Sequence, residues 1–157
     1  MTFASISGKF SRFLRNGESV GTQYRTYLHY FFIFPEMIMI LTAMDLVAQA
    51  KQHIVEIDID DAKSTLETSL ILDVRELTEY AAGHLPGAFN IPRGVLEFKI
   101  GSHPDFQDKQ DAHIIIYCQS GGRSALATEA LNKMGFNNAV SMAGGFKAWT
   151  ESGNEVV

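Results

Sequence analysis

The chain has 157 residues, 46% of them hydrophobic and 20% charged, which suffices for one globular domain with an appendage. Its formal net charge of −5 argues against nucleic acid as the main partner. A single cysteine excludes an internal disulfide, and the five histidines are scattered without zinc-ligand spacing, so we predict no metal and no cofactor. A lone working thiol suits a reducing compartment, and we therefore expect a cytoplasmic protein.

Residues 1–41 are predicted to be an N-terminal extension outside the main domain. The run 27–41 is very apolar, but His29, Pro35 and Glu36 interrupt it. A membrane-spanning helix needs about 18–20 predominantly apolar residues, and this run is too short. The extension is therefore not expected to carry the chemistry of the protein.

Three interpretations of this extension stay open. It is a loosely attached segment, a hydrophobic element that packs on the domain or a partner, or sequence upstream of a later start at Met37, Met39 or Met44. Contact of residues 27–41 with a membrane surface is a sharper alternative that we do not favour.

From residue 42 to residue 157, segments with strand and helix character alternate. Strands are predicted at 54–57, 70–74, 88–91, 114–117 and 138–142. Helices are predicted after Asp45, after Asp60 or Asp61, at 76–82, at 94–101, at 124–134, and around Phe146 and Trp149. The helix at 124–134 is expected to bury Leu126, Ala127, Ala130, Leu131 and Met134. This alternation predicts an α/β domain with a mostly parallel sheet and helices on both faces.

The most informative segment begins at Cys118, which ends the apolar strand 114–117 and opens a glycine-rich loop before a helix. Loop amides and a helix N-terminus both favour negative charge, so this arrangement favours a thiolate. Open α/β sheets place their sites at the carboxyl ends of strands, and free cysteines are otherwise often buried structural residues. We therefore interpret Cys118 as a nucleophile.

Several motifs agree in order along the chain: Leu72–Glu76, Glu79–Tyr80, Gly83–Ala88, Asn90–Pro92, Tyr117–Ser124 and Gly144–Trp149. Together they resemble the rhodanese (thiosulfate sulfurtransferase) family over roughly residues 44–152. The resemblance implies a single-domain rhodanese with a five-stranded parallel sheet, helices on both faces, and an active-site loop after the fourth strand.

The resemblance also implies residue roles. Cys118 is expected to take a sulfane sulfur from a small anionic donor such as thiosulfate and to carry it as a persulfide. The amides of Gln119, Ser120, Gly121 and Gly122 are expected to converge on that anion, and Arg123 is expected to attract the donor. An ordinary strand-to-helix turn and a structural ion pair of Arg123 are the plainer alternatives.

Transfer through a covalent intermediate predicts ping-pong kinetics. No second cysteine is available to take the sulfur from Cys118, so the acceptor must come from outside. Cyanide, glutathione, a thioredoxin-like dithiol and the cysteine of another protein all fit this requirement.

Asp73 and Arg75 follow a buried strand, and the resemblance gives them a supporting position near the site. Their plainer interpretation, which we favour, is a loop carboxylate that caps the next helix and an Arg75–Glu79 pair at helical spacing. His84 is expected to fix a turn by hydrogen bonds rather than to act as a base. Gly144, Gly145 and Trp149 are expected to pack the last helix on the sheet, with Trp149 as a core anchor.

Two other functions stay open. A rhodanese-like binding or sensing module with incidental turnover would have an inert thiol, although Cys118 and Arg123 weigh against it. A cysteine phosphatase needs five residues between its cysteine and arginine, and here only four separate Cys118 from Arg123. Ser124 after the arginine does resemble the phosphatase pattern.

Overall fold

The computed structural model describes residues 40–157. Within them, Leu41–Val157 forms one compact unit. The predictions for residues 1–39, including most of the apolar run 27–41 and its membrane contact, lie outside the described residues. No helix within residues 40–157 is long and apolar enough to cross a membrane.

Five parallel strands form one sheet in the order β1-β5-β4-β2-β3. The strands are β1 (Glu56–Ile57), β2 (Leu70–Asp73), β3 (Ala88–Asn90), β4 (Ile114–Tyr117) and β5 (Ala139–Met142). In register, Asp73 lies beside Tyr117 on one side and beside Asn90 on the other. The carboxyl ends of β2, β3 and β4 therefore meet at one edge of the sheet. This confirms the predicted five-stranded parallel α/β sheet.

Helices cover both faces of the sheet. They are α1 (Ala43–Lys51), α2 (Ile59–Thr65), α3 (Leu77–Ala81), α4 (Leu96–Lys99), α5 (Gly122–Lys133) and α6 (Gly145–Glu151). Short 3-10 turns occupy Leu66–Thr68, Arg93–Val95 and Ile100–Ser102. The predicted helix at 94–101 is thus one α-helical turn between two 3-10 turns.

Alternation along β4 divides the core into two clusters, because successive side chains of a strand point to opposite faces. Ile114 and Ile116 pack with Cys118 and with Leu131 of α5 on one face. Ile115 and Tyr117 pack with Trp149 and its neighbours on the other. Cys118, two residues after Ile116, therefore points to the same face as Ile114 and Ile116 and belongs to the first cluster. Trp149 anchors the second cluster, as predicted.

Two predicted helix caps are wrong by about one turn. Thr42 caps α1 and accepts from the Asp45 amide, while Asp45 reaches back to Thr42 from the third helical position. Asp58 caps α2 in the same way by accepting from the Asp61 amide. Asp45 and Asp61 serve as first-turn acids, a position that the helix dipole also favours.

The buried face of α5 also differs from the prediction. Ala127 and Leu131 are buried as expected, but Met134 is exposed. Ser124 and Thr128 are buried in place of part of the expected apolar face. These hydroxyls can be buried because hydrogen bonds satisfy them, with Ser124 bonded to Gly121 and Ser141, and Thr128 bonded to the Ser124 carbonyl.

Candidate active site

Cys118 stands immediately after β4, at the sheet edge where β2 and β3 also end. The residue is 1% exposed, and its Sγ accepts a hydrogen bond from the Gly121 amide at 3.2 Å. Gly121 is in the left-handed region (φ +97°) and precedes the first residue of α5. A glycine is needed there because other residues rarely adopt this conformation, and it turns the amide back to the sulfur.

The loop backbone is oriented by α6. The Phe146 amide donates to the Cys118 carbonyl at 2.8 Å, and the Lys147 amide donates to the Gln119 carbonyl at 3.1 Å. In a trans peptide the N–H and C=O groups point in opposite directions, so the Gln119 and Ser120 amides are directed away from α6. Gln119 and Ser120 are exposed, and no acceptor among residues 40–157 is hydrogen-bonded to either amide, which leaves both amides open to a bound anion.

Gly145 allows this close approach between α6 and the loop. Its φ is +60°, and a Cβ built there would lie 2.3 Å from the Cys118 carbonyl oxygen and 2.9 Å from the Ser120 nitrogen. The sequence predicts that this glycine packs the last helix on the sheet. The contact that requires it is with the active-site loop itself.

We expect Gly145→Ala to lower the free energy of unfolding by about 2–4 kcal/mol and turnover at Cys118 by roughly a hundredfold. The obstructing atoms are backbone, so α6 must move and lose its bonds to Cys118 and Gln119. The measurements are urea unfolding and steady-state rates. Gly153→Ala is the matched control, since Gly153 has φ +71° but no atom within 4 Å of an added Cβ. Equal effects of the two substitutions would contradict the steric explanation.

Ser124 fixes the far end of the loop. It is fully buried, its Oγ donates to the Gly121 carbonyl at 3.1 Å, and it accepts from the Ser141 hydroxyl at 3.0 Å. In the sequence, Ser124 belonged to the Tyr117–Ser124 motif and resembled the phosphatase pattern, but its partner Ser141 was not predicted. The signal for Ser141 was weak, because one serine in an apolar strand has many explanations.

Arg123 is bound by a carboxylate that sequence analysis did not place in the site. Its Nη1 and Nη2 donate to the two carboxylate oxygens of Glu79, at 2.7 and 2.8 Å. Glu79 lies in the first turn of α3 and also accepts from the Glu76 amide at 3.0 Å. The Arg123 guanidinium, more than the Glu76 amide, holds the pKa of Glu79 at about 2. Arg123 therefore forms the structural ion pair that was its plainer alternative, while remaining a third exposed.

This depressed pKa predicts how Glu79 contributes to stability across pH. The ordinary pKa of 4.5 applies in the unfolded chain, so the contribution is complete above that value and is lost as pH falls towards about 2. We expect Glu79→Gln to cost about 1 kcal/mol at pH 7, because the pair is partly screened by solvent. Urea unfolding of both proteins from pH 2 to 7 checks this. A difference that persists unchanged at pH 2 would contradict it.

Asp73 and Arg75 form a second pair, which is buried. The Arg75 guanidinium donates to Asp73 at 2.7–3.1 Å and to the Gly83 carbonyl at 2.7 Å, and it lies 4.0 Å from the centre of the Phe146 ring. The predicted Arg75–Glu79 pair is wrong, and Asp73 does not cap α3, since Glu76 and Glu79 do so. The pair therefore packs against α6 through the Phe146 ring.

His84 fixes the turn before β3, as expected. Its ring stacks on Tyr80 with centroids 3.8 Å apart, and its Nδ1 is 3.1 Å from the Tyr80 carbonyl oxygen. Its backbone exchanges two hydrogen bonds with Val157, at 2.9 and 3.0 Å. Among residues 40–157, no three His, Cys, Asp or Glu side chains are grouped so that they could hold a metal ion.

Comparison with known proteins gives consistent matches. Residues 58–152 match the model of the rhodanese-like domain. The chain is 36% identical over 90 residues to human thiosulfate:glutathione sulfurtransferase, covering 52% of this chain and 78% of that protein. It is 40% identical over 91 residues to thiosulfate sulfurtransferase 16 of Arabidopsis thaliana, and the match covers 52% of this chain and 74% of that protein.

Solved structures agree. The human single-domain sulfurtransferase TSTD1 superposes with a TM-score of 0.57 at 32% identity, covering 61% of this chain and 95% of that one. A Rhodopseudomonas palustris protein described as a possible tyrosine phosphatase superposes with a TM-score of 0.68 at 31% identity. The match covers 76% of this chain and 96% of that one. Relatives named sulfurtransferases, at about 30–40% identity, support a sulfurtransferase activity in general terms.

Proposed function

This chain belongs to the rhodanese-like family, and we propose that it moves a sulfane sulfur from an anionic donor such as thiosulfate to a thiophilic acceptor through a persulfide on Cys118. The observation that carries the proposal is the Gly121 amide, 3.2 Å from the Cys118 sulfur in a loop that leaves two further amides open. A persulfide anion gains stability from such donors, which cost no reorganisation during the reaction.

In the first half-reaction, the Cys118 thiolate attacks the outer sulfur of thiosulfate. A new sulfur–sulfur bond forms to Cys118, the bond within thiosulfate breaks, and its electron pair leaves with sulfite. In the second half-reaction, cyanide or an acceptor thiolate attacks the terminal sulfur of the persulfide. The Cys118 thiolate is regenerated, and thiocyanate or an acceptor persulfide is released.

The acceptor lies outside this chain, because Cys118 is its single cysteine. Glutathione is one candidate, since the human relative is named a thiosulfate:glutathione sulfurtransferase. A dithiol protein is another, provided that its thiol reaches a sulfur which is almost fully buried in the unloaded site. The terminal sulfur of a persulfide extends beyond the Cys118 Sγ, so an acceptor thiol has a shorter distance to reach it.

Intact-mass measurement tests the proposal. The reduced protein is incubated briefly with thiosulfate, and we expect its mass to increase by one sulfur atom and to return to the starting value with cyanide. Initial rates with thiosulfate and cyanide varied together should give parallel double-reciprocal lines. A folded, reduced protein that gains no sulfur from thiosulfate would contradict the proposal and favour a binding module.

Phosphatase activity is the second candidate, because one structural neighbour is described as a possible tyrosine phosphatase. Four residues between Cys118 and Arg123 make a smaller ring of amides than the five of cysteine phosphatases. Arg123 also uses both terminal nitrogens on Glu79 rather than turning them to a phosphate. We therefore expect no hydrolysis of an aryl phosphate above background.

A further inference from the structure

Every arginine within residues 40–157 is paired with a carboxylate. The shortest nitrogen–oxygen distances are 2.7 Å for Arg75–Asp73, 2.8 Å for Arg93–Glu97 and 2.7 Å for Arg123–Glu79. An arginine that meets an anionic substrate through both terminal nitrogens needs those nitrogens to be available. The pairing thus determines how much positive charge the site can offer a donor.

The pair nearest the thiol is Arg123–Glu79. Arg123 follows Cys118 by five residues and is the second residue of α5, the helix into which the loop leads. Its pKa is raised chiefly by the hydrogen bonds to Glu79, with smaller electrostatic contributions from Cys118 and Glu76. Arg123 is therefore a charged neighbour of the loop whose nearest carboxylate is that of Glu79.

The charge balance around the loop follows from these contacts. Arg123 contributes one positive charge, and Glu79 and Glu76 at the start of α3 contribute two negative charges, while the Asp73–Arg75 and Lys147–Glu151 pairs contribute none in sum. A dianion approaching this surface is repelled about twice as strongly as a monoanion at the same distance. Loop amides aid both kinds of anion, since they bind the transferred sulfur in each case.

From this balance we propose that Glu79 sets the donor preference of the site: by holding Arg123 in an ion pair, it favours monoanionic sulfane donors over the thiosulfate dianion. The proposal rests on the proposed function of Cys118 as sulfur carrier. The donor class is that of thiosulfonates and simple persulfides, in which the sulfane sulfur bears the single charge.

Methanethiosulfonate is the matched probe, because a methyl group stands where thiosulfate has one charged oxygen. The Cys118 thiolate attacks its outer sulfur, the new sulfur–sulfur bond forms, and the electron pair of the broken bond leaves with methanesulfinate. One negative charge enters with the donor and one leaves with the sulfinate. The two donors therefore share the bond that forms and differ by one unit of charge.

The experiment compares kcat/KM for thiosulfate with kcat/KM for methanethiosulfonate, with cyanide as acceptor, and follows the ratio. Glu79→Gln keeps an oxygen for the Glu76 amide but removes the charge that binds Arg123. We expect this variant to raise the thiosulfate-to-methanethiosulfonate ratio by roughly three- to tenfold. A general change in thiol reactivity would alter both donors and cancel in the ratio.

Arg123→Gln tests the same idea in the opposite direction. It leaves Glu79 charged and uncompensated, so the ratio should fall by a similar factor whatever the overall rate. Glu129→Gln is the control, because Glu129 has a comparable pair with Lys133 but lies about 9 Å further along the axis of α5, where salt screens its charge. Its ratio should match that of the wild type.

Three outcomes are decisive. A ratio that rises in Glu79→Gln and falls in Arg123→Gln supports the proposal. If Glu79→Gln does not fold, Glu79→Ala, which also removes the charge, takes its place. Sulfur transfer with a ratio that is the same in all folded variants overturns the role of Glu79 but leaves the carrier role of Cys118 intact, whereas no sulfur on Cys118 from either donor overturns the proposed function itself.

Discussion

Cys118→Ser is expected to abolish sulfur loading and to lower the turnover of thiosulfate and cyanide by at least about three orders of magnitude. A serine oxygen at this position can accept the Gly121 hydrogen bond but cannot form a persulfide. The chain holds no second thiol that could take over the reaction. Coupled thiocyanate production and intact mass are the measurements.

The fold should survive this substitution. Serine and cysteine are close in size, and the hydroxyl gains the amide partner that the sulfur had, so we expect a change of about 1 kcal/mol in the free energy of unfolding. Circular dichroism and urea unfolding provide the control. Residual turnover above a tenth of wild type in a folded Cys118→Ser protein would mean that the sulfur does not pass through Cys118.

Arg75→Met is expected to produce the largest loss of stability, about 3–5 kcal/mol. Arg75 and Asp73 are 1% and 0% exposed, so the substitution leaves a buried carboxylate without its charge partner. A domain of this size is stable by only about 5–15 kcal/mol, and the variant should be close to unfolding at 37 °C. Urea unfolding at pH 7 gives the value.

The double variant Asp73→Asn with Arg75→Met distinguishes the charge from the packing. If an unpaired charge is the cause, removing it should recover a substantial part of the lost stability. The Arg75 backbone amide donates to Asp73 at 2.7 Å, and asparagine can still accept that bond. A double variant as unstable as Arg75→Met would instead assign the loss to the contact with Phe146.

The parallel sheet and the position of Cys118 could be predicted because their signals are local. Continuous apolar runs such as Ile114–Tyr117 are typical of strands buried on both faces, and the thiol follows that run directly. The glycine-rich loop then ends at the start of a helix. Each of these features spans only a few residues.

Side-chain partners could not be predicted in the same way. Arg123 and Glu79 are 44 residues apart, and nothing local joins them. Helical spacing favoured Arg75–Glu79, but Arg75 precedes α3, and its side chain is buried against Asp73. Burial of Arg75 in the tertiary structure thus determined its partner, whereas the i,i+4 spacing of charges on a helix surface had suggested Glu79.

The buried face of α5 could not be predicted from the sequence of that helix alone either. Hydrophobicity alone placed Met134 inside, whereas Ser124 is buried because two partners satisfy its hydroxyl. Those partners come from the loop before the helix and from β5. A periodic pattern in one segment contains no information about hydrogen bonds supplied by another.

The strand order has a consequence for the order in which the protein folds. β1 pairs with β5, and the loop of Cys118 is held by amides of Phe146 and Lys147, so both contacts join segments that are far apart in the sequence. Such non-local contacts are slow to form, because the chain loses entropy before the contact is made. The carbonyls of Cys118 and Gln119 therefore lack their partners until α6 docks, and the active-site loop takes its final shape only at that step.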